Sequence, residues 1–173
     1  NIIKNYFKKY KKRINVKIIN TGLKTMTGGR LKRLTKYLLN EKYFFFTYGD
    51  GVSDINLNKL LKFHIRKKKI ATVSAVIPPG RYGVLNIKNS YVKKFSEKKK
   101  GGDGYINGGF FVLSPKVLKY IKNDGTVWEN QPMDALSKKN QLVAFKHNGF
   151  WQSMDTHRDK KILEEIFKNK KKI

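Results

Sequence analysis

Two aspartates stand where an apolar stretch of the sequence gives way to a turn or a helix. Asp50 lies between two glycines, three positions after the aromatic run at 43–47, and Asp155 lies between Trp151 and the last helical pattern. Mg2+ in proteins prefers one or two carboxylates together with phosphate oxygens. Ligands of open α/β sheets bind beyond the carboxyl ends of the strands. The pair predicts a metal-assisted phosphate site; an ordinary Gly-Asp-Gly turn and a helix N-terminal acid remain the alternatives.

A second candidate is the segment 25–30, in which Thr25 and Arg30 enclose two adjacent glycines at the predicted start of a helix. Backbone N–H groups at a helix start suit a phosphate or the edge of a ring. The spacing matches neither a P-loop nor a dinucleotide-binding fingerprint. The segment therefore predicts an anion-binding turn, with a plain turn as the alternative.

Three further polar residues could meet a sugar phosphate. Lys98 offers a point charge beside the carboxylate of Glu97, although the glycines and lysines that follow also suit a solvated basic loop. Asn107 precedes Gly108 and Gly109 inside an apolar strand pattern, where its amide could both donate to and accept from a hydroxyl. Glycines weaken strands unless something approaches the backbone, so a β-bulge is the competing explanation.

Composition excludes several classes of protein. No cysteine is present, which rules out disulfides, thiol nucleophiles and thiolate metal sites. No apolar stretch approaches the ~18 residues of a membrane helix, and no leader pattern occurs, so we expect a soluble, cytoplasmic protein without a membrane partner. The net charge is +27, but only 6 of the 39 basic residues are arginine. Because direct readers of nucleic acid rely on arginine, we expect no nucleic-acid partner.

The elements that must position these residues alternate between strand and helix, which predicts an α/β fold. Predicted strands are 16–19, 43–47, 70–77, 84–88, 91–95, 106–113 and 142–146. Predicted helices start at residue 2, at 27–29, after an Asp54 cap, at 114–115, at 128 and after a Thr156 cap. A length of 173 residues suits one domain.

Seven segments, taken together in order, carry a family resemblance. They are Asn-Thr-Gly at 20–22, Met-Thr-Gly-Gly-Arg-Leu-Lys-Arg at 26–33, Phe-Thr-Tyr-Gly-Asp-Gly-Val at 46–52, Pro-Pro-Gly-Arg-Tyr-Gly at 78–83, Glu-Lys at 97–98, Ile-Asn-Gly-Gly-Phe-Phe-Val-Leu at 106–113, and Gly-Phe-Trp-Gln at 149–152 with Met-Asp-Thr at 154–156. From about residue 16 to 167 the sequence resembles the sugar-1-phosphate nucleotidylyltransferases, most closely their glucose-1-phosphate cytidylyltransferase branch.

The resemblance implies a Rossmann-like mixed sheet of the nucleotide-diphospho-sugar transferase type. It also implies transfer of a cytidylyl group from CTP to glucose 1-phosphate, with Mg2+, giving CDP-glucose and pyrophosphate for O antigen and lipopolysaccharide synthesis. Residue by residue, it implies that Asp50 and Asp155 hold the metal and that Thr25, Arg30 and Gly49 line the nucleotide site. Lys98 would meet the sugar phosphate, with Glu97 and Asn107 on the sugar.

Part of the family pattern has no counterpart in this sequence. The family opens with a strand and a Gly-Gly-x-Gly-Thr-Arg loop around the nucleotide phosphates, and nothing before Val16 supplies either. The first residue is Asn1, and helical spacing begins at once. We expect residues 1–173 to form a single-domain fragment, truncated at its N-terminus and lacking the first strands of the sheet, that turns over weakly or not at all, whereas the full-length protein is an enzyme and a homo-oligomer.

Three other functions stay open at this stage. A thymidylyl- or uridylyltransferase would keep the chemistry and change the base. A non-catalytic polyanion-binding fragment would use the charge of +27, and its affinity would fall steeply with ionic strength. A subunit that works only beside a complete partner is the third.

Overall fold

The computed structural model describes residues 2–9, 15–79, 83–88, 90–97 and 104–170. Its helices are α1 (Ile2–Lys9), α2 (Thr27–Arg33), α3 (Thr35–Leu38), α4 (Leu57–Lys67), α5 (Gln131–Lys138) and α6 (His157–Lys170), with a 3-10 helix at Pro115–Tyr120. Its strands are β1 (Phe44–Thr47), β2 (Gly51–Ser53), β3 (Ala71–Val76), β4 (Gly83–Lys88), β5 (Tyr91–Glu97), β6 (Ile106–Leu113), β7 (Leu142–His147) and β8 (Trp151–Ser153). None of the helices in these ranges is long and apolar enough to cross a membrane.

The main sheet has four strands in the order β1-β6-β3-β7. Strands β1 and β3 both run antiparallel to β6, and β3 runs parallel to β7. The sheet is therefore mixed, and helix α4 joins the parallel strands β1 and β3 across it. Every residue of β3 is buried, including the polar Thr72 and Ser74, as expected of a central strand whose two faces are both covered. The mixed α/β fold predicted from the sequence is confirmed.

Helices cover both faces of this sheet, and alternate residues of β6 point to opposite sides. Val112 packs with Leu60 of α4 on one face. Phe111 and Leu113 pack on the other face against Trp128, in a cluster that also includes residues of α2, α5 and the 3-10 helix. Since side chains along a strand alternate between faces, a run of consecutive apolar residues can serve two cores at once.

Two small antiparallel ladders complete the described structure. Strands β4 and β5 form the predicted hairpin, with Ser90 in the left-handed conformation at its turn. Strands β2 and β8 pair over three residues each, from Gly51 opposite Ser153 to Ser53 opposite Trp151. No sequence pattern predicts the β2–β8 ladder, although this ladder positions both candidate metal ligands.

Three expectations about local structure are wrong. No strand forms at 16–19, because in the described part of the chain this stretch pairs with no strand and leaves Val16 and Ile18 exposed. The helix that starts at 27–29 is predicted to continue to Leu39, but it breaks at Leu34, where the Thr35 hydroxyl donates to the carbonyl of Lys32 and competes with the helical hydrogen bond. The stretch 128–130 is a turn, and α5 starts at Gln131.

The N-cap of α4 also differs from the expectation. Asn56, not Asp54, caps the helix, and its side-chain oxygen accepts from the backbone N–H of Lys59 at 2.9 Å. The carboxylate of Asp54 lies 2.9 Å from the His147 ring instead. By contrast, the Thr156 cap of α6 is confirmed, because its hydroxyl accepts from the N–H of Asp159 at 3.2 Å.

Candidate functional site

A cavity of about 310 Å³ opens at the edge of the main sheet where β1 ends and β6 begins. Asp50 and Asp155 both line it, and Asn107 lines it as well. Of the residues predicted to carry chemistry, these three are brought together in one space. The cavity lies beyond the carboxyl end of β1, which is the position that open α/β sheets offer to a ligand.

The β2–β8 ladder brings the two aspartates together although 105 positions separate them in the sequence. Asp50 directly precedes β2, and Asp155 follows β8 by two residues. The backbone N–H of Met154 donates to the carbonyl of Asp50 at 2.9 Å, which extends the ladder by one step. The hydroxyl of Ser153 donates to the Asp155 carboxylate at 2.9 Å and orients it.

Asn107 lines the cavity because β6 bulges beside β3. The register passes from Val73 opposite Phe111 to Ala75 opposite Asn107, so three residues of β6 stand against Ser74 alone. The backbone N–H of Phe110 donates to the Ser74 hydroxyl at 3.2 Å and holds the bulge. The bulge that the sequence analysis kept as an alternative is present, and it re-aims the backbone next to the site.

Gly109 is the residue of this bulge that fits under Tyr48. Its φ of +76° lies in the left-handed region, and a Cβ there would stand 2.8 Å from the Tyr48 ring. Asn107 closes the turn, since its Oδ1 accepts from the N–H of Gly109 at 2.9 Å. The same amide donates through Nδ2 to the Tyr48 hydroxyl at 3.2 Å, which leaves one N–H of Asn107 for a ligand.

The hydroxyl of Tyr48 donates to a carboxylate that the sequence analysis did not identify. Its partner is Oε1 of Glu129, at 2.5 Å. Burial and then this hydrogen bond raise the pKa of Tyr48 above its ordinary value, with smaller contributions from the charges of Glu129 and Asp50. The phenol therefore stays protonated and acts as a donor within the site.

Glu129 also connects the cavity to helix α2. Its Oε2 accepts from the hydroxyl of Thr27 at 2.7 Å, and that hydroxyl accepts from the backbone N–H of Trp128 at 2.9 Å. The hydrogen bonds thus run without a break from Thr27 through Glu129 and Tyr48 to Asn107. A lone acid after a tryptophan carries no spacing signal, so no sequence pattern selects Glu129.

The segment 25–30 lies outside the cavity lining. Arg30 donates to the Thr21 hydroxyl at 2.8 Å and to the Leu23 carbonyl at 3.3 Å, and Thr25 is buried. Gly29 allows close packing, because a Cβ would run into the backbone of Asp124, and its N–H donates to the Thr126 carbonyl at 3.2 Å. The glycines here bring α2 against the loop at 124–126.

The three remaining candidate residues are Gly49, Glu97 and Lys98. Gly49 is exposed beside Asp50, and an added Cβ there would meet nothing within 4 Å. Glu97 ends β5 opposite Gly83. Lys98 lies outside the described residues.

A serine, a histidine and an aspartate meet behind the β2–β8 ladder without forming a nucleophilic triad. Ser53 donates to the carbonyl of Phe150 at 2.8 Å, so its proton is not directed at the imidazole. Nε2 of His147 lies 2.9 Å from Asp54 and 3.2 Å from the Ser53 hydroxyl, so one ring nitrogen faces both. A relay needs the acid and the nucleophile on different nitrogens. The group braces the loop at 148–150, and nothing in it activates the serine.

The donor set of the cavity fits a hard divalent cation. Asp50 and Asp155 supply carboxylate oxygens, and among the described residues no cluster of three or more His, Asp or Glu side chains could hold a metal. Mg2+ is bound through one or two carboxylates, water and substrate phosphates rather than by a cage of protein ligands. Two carboxylates in an open cavity therefore suit Mg2+ carried with a phosphate substrate.

Comparison with known proteins places this chain in a family. Residues 2–164 match the family described as Nucleotidyl transferase. The chain is 48% identical over 157 residues to the glucose-1-phosphate cytidylyltransferase of Salmonella typhimurium, covering 91% of this chain and 61% of the relative. It is 32% identical to the mannose-1-phosphate guanyltransferase of Emericella nidulans, covering 88% of this chain and 44% of that protein.

The fold has solved counterparts as well. The crystal structure of HddC from Yersinia pseudotuberculosis matches with a TM-score of 0.69 and 25% identity, covering 96% of this chain and 74% of that one. HddC has also been solved in complex with GMP-PN. This chain spans about 61% of the length of the Salmonella typhimurium relative. On the extent of the family match, this chain belongs to the nucleotidyl transferase family.

Proposed function

We propose that the protein to which this chain belongs transfers a cytidylyl group from CTP to α-D-glucose 1-phosphate, giving CDP-glucose and pyrophosphate. The observation that carries the proposal is the convergence of Asp50, Asp155 and Asn107 on one cavity. The 48% identity to a cytidylyltransferase supports the choice of nucleotide and sugar.

The reaction asks little covalent work of the protein. An oxygen of the glucose 1-phosphate attacks the α-phosphorus of CTP, the bond from that phosphorus to the bridging oxygen breaks, and pyrophosphate leaves with the electron pair. Catalysis of phosphoryl-type transfer depends on positioning and on neutralising charge. This agrees with a site that offers carboxylates and amides and no activated nucleophile.

In this proposal Asp50 and Asp155 hold Mg2+, whose positive charge would offset the negative charge of the reacting phosphates. Ser153 keeps the Asp155 carboxylate turned towards the cavity. The free N–H of Asn107 donates to a sugar hydroxyl, because its other groups are committed to Tyr48 and Gly109. The Tyr48 ring forms part of the cavity wall.

The remaining roles rest on the family resemblance. Thr25, Arg30 and Gly49 line the nucleotide site, and Lys98 meets the sugar phosphate beside Glu97. Since Thr25 and Arg30 lie outside the cavity lining, their proposed role requires the nucleotide to extend beyond the 310 Å³ described here. A cytoplasmic location, an assembly of identical chains and a place in O-antigen synthesis also rest on that resemblance.

The experiment that tests this function measures pyrophosphate release with glucose 1-phosphate and Mg2+ from CTP, UTP and dTTP in turn. It compares this chain with a chimaera that adds the part of the Salmonella typhimurium relative outside its match to this chain. We expect release from CTP, and little from the other two, in the chimaera. A preference for UTP or dTTP would change the substrate, and a folded chimaera inactive with all three would contradict nucleotidyl transfer.

A further inference from the structure

A second concave surface lies at the opposite end of the main sheet from the cavity. We call it the basic cleft and define it by Lys42, Lys68, Lys69, Lys116 and Lys139, which all line it. These lysines stand before β1, β3 and β7 and after β6. Strand β3 has six residues, so about 20 Å of sheet separates the basic cleft from the cavity.

Five positive charges converge on this cleft with no acid among the side chains that line it. In the described ranges, none of the five lysines takes part in an ion pair. Like charges gathered around one concave surface repel each other, and a multivalent anion relieves that repulsion. The proposed nucleotidyl transfer uses none of these residues.

Local structure holds several of the lysines at the cleft. The ammonium groups of Lys42 and Lys139 lie over the rings of Tyr43 and Tyr120, 5.8 and 5.4 Å from the ring centroids. Lys68 ends α4 in the left-handed conformation, and its N–H bonds to the last turn of the helix.

The dipole of α4 does not account for the whole cluster. A cation is favoured at a helix C-terminus, and this explains Lys68. It does not explain Lys42 and Lys116, which come from other elements and meet at the same cleft.

The size and chemistry of the basic cleft indicate what it binds. Its volume of about 760 Å³ lies in the range of small-molecule sites. A lysine ammonium is a compact point charge that suits phosphate oxygens, whereas base-specific readers use the arginine fork. No arginine lines the cleft. We propose that the basic cleft binds a small ligand with several linked phosphate groups, such as tripolyphosphate or a free nucleoside triphosphate.

Calorimetric titration of the full chain with tripolyphosphate, in the presence of a chelator, tests this proposal. The probe lacks a base and a sugar, and without a divalent metal the two aspartates of the cavity repel it. The cleft variant carries Lys68→Gln and Lys139→Gln. The matched control carries Lys59→Gln and Lys161→Gln, which remove the same charge from exposed helix positions outside the cleft.

We expect one binding event in the unmodified chain, weakened about tenfold or more by the cleft variant and less than about twofold by the control. Inorganic phosphate should bind far more weakly than tripolyphosphate, and CTP at least as tightly as tripolyphosphate. Equal weakening in both variants would assign binding to overall charge and overturn the proposal. No binding of tripolyphosphate, or much tighter binding of a single-stranded oligonucleotide, would overturn it too.

Discussion

Replacing Gly109 by alanine should disturb the cavity through the ring of Tyr48. Gly109 has a φ of +76°, and the added Cβ would stand 2.8 Å from Cδ2 of that ring. The ring cannot move freely, because its hydroxyl is bonded to Glu129 and the ring makes edge-to-face contacts with Phe46 and Phe111. Both the backbone and the packing therefore oppose the substitution.

The two effects can be sized separately. The left-handed conformation costs an alanine roughly 1–2 kcal/mol relative to glycine. Forcing an extra carbon into a packed site costs about 1–3 kcal/mol. Gly109→Ala should therefore lower the free energy of unfolding by about 2–5 kcal/mol, and each kcal/mol lowers Tm by about 2–4 °C in a chain of this size.

Thermal unfolding followed by near-ultraviolet circular dichroism measures this loss. Gly104→Ala is the matched control, because a Cβ there meets nothing within 4 Å, and it should change the free energy of unfolding by less than about 0.5 kcal/mol. A Tm of Gly109→Ala within about 1 °C of the unmodified chain would refute the packing described between Gly109 and Tyr48, because a loss of only about 1 kcal/mol already lowers Tm by about 2–4 °C.

Three further predictions concern single side chains. Glu129→Ala removes the acceptor of the Tyr48 and Thr27 hydroxyls and should cost about 2 kcal/mol in urea unfolding, with Glu129→Gln costing less because one acceptor oxygen remains. Burial lowers the pKa of His64, so the unfolded chain takes up a proton more readily and stability should fall as the pH drops below about 6.5; His64→Gln should flatten that dependence in unfolding curves across pH. In the chimaera, Lys98→Ala should raise KM for glucose 1-phosphate more than KM for CTP, and equal increases would contradict its assigned role.

Sequence patterns located the long elements because local periodicity determines them. The limits of β6 agree with the predicted strand 106–113, since its apolar residues serve cores on both faces of the sheet. The three-residue strands β2 and β8 carry no such pattern, and they exist only because each supplies the partner of the other. The stretch 16–19 has the apolar pattern of a strand but no partner strand, and it does not form a strand.

The site residues that closely follow predicted strands, or directly precede a predicted helix, could be identified from the sequence. Asp50 and Asp155 could be selected because each stands next to an apolar segment, and the structure places both on one cavity. Glu129 could not, because its role depends on hydrogen bonds to residues 81 and 102 positions away. The position of Asp54 before α4 predicts a helix cap, and no local rule predicts its contact with His147, which is 93 positions away in the sequence.

In the proposed function, Asp50 and Asp155 together serve Mg2+-dependent nucleotidyl transfer. The most direct test measures pyrophosphate release from CTP and glucose 1-phosphate by the chimaera carrying Asp50→Asn, Asp155→Asn or Asp134→Asn. Asp134 is the control, because it is exposed and its partner among the described residues is Lys138, on the surface of α5. We expect the first two variants to lose at least about a hundredfold in kcat with circular dichroism unchanged, and the control to keep full activity. Unmodified rates in either of the first two variants would contradict the account.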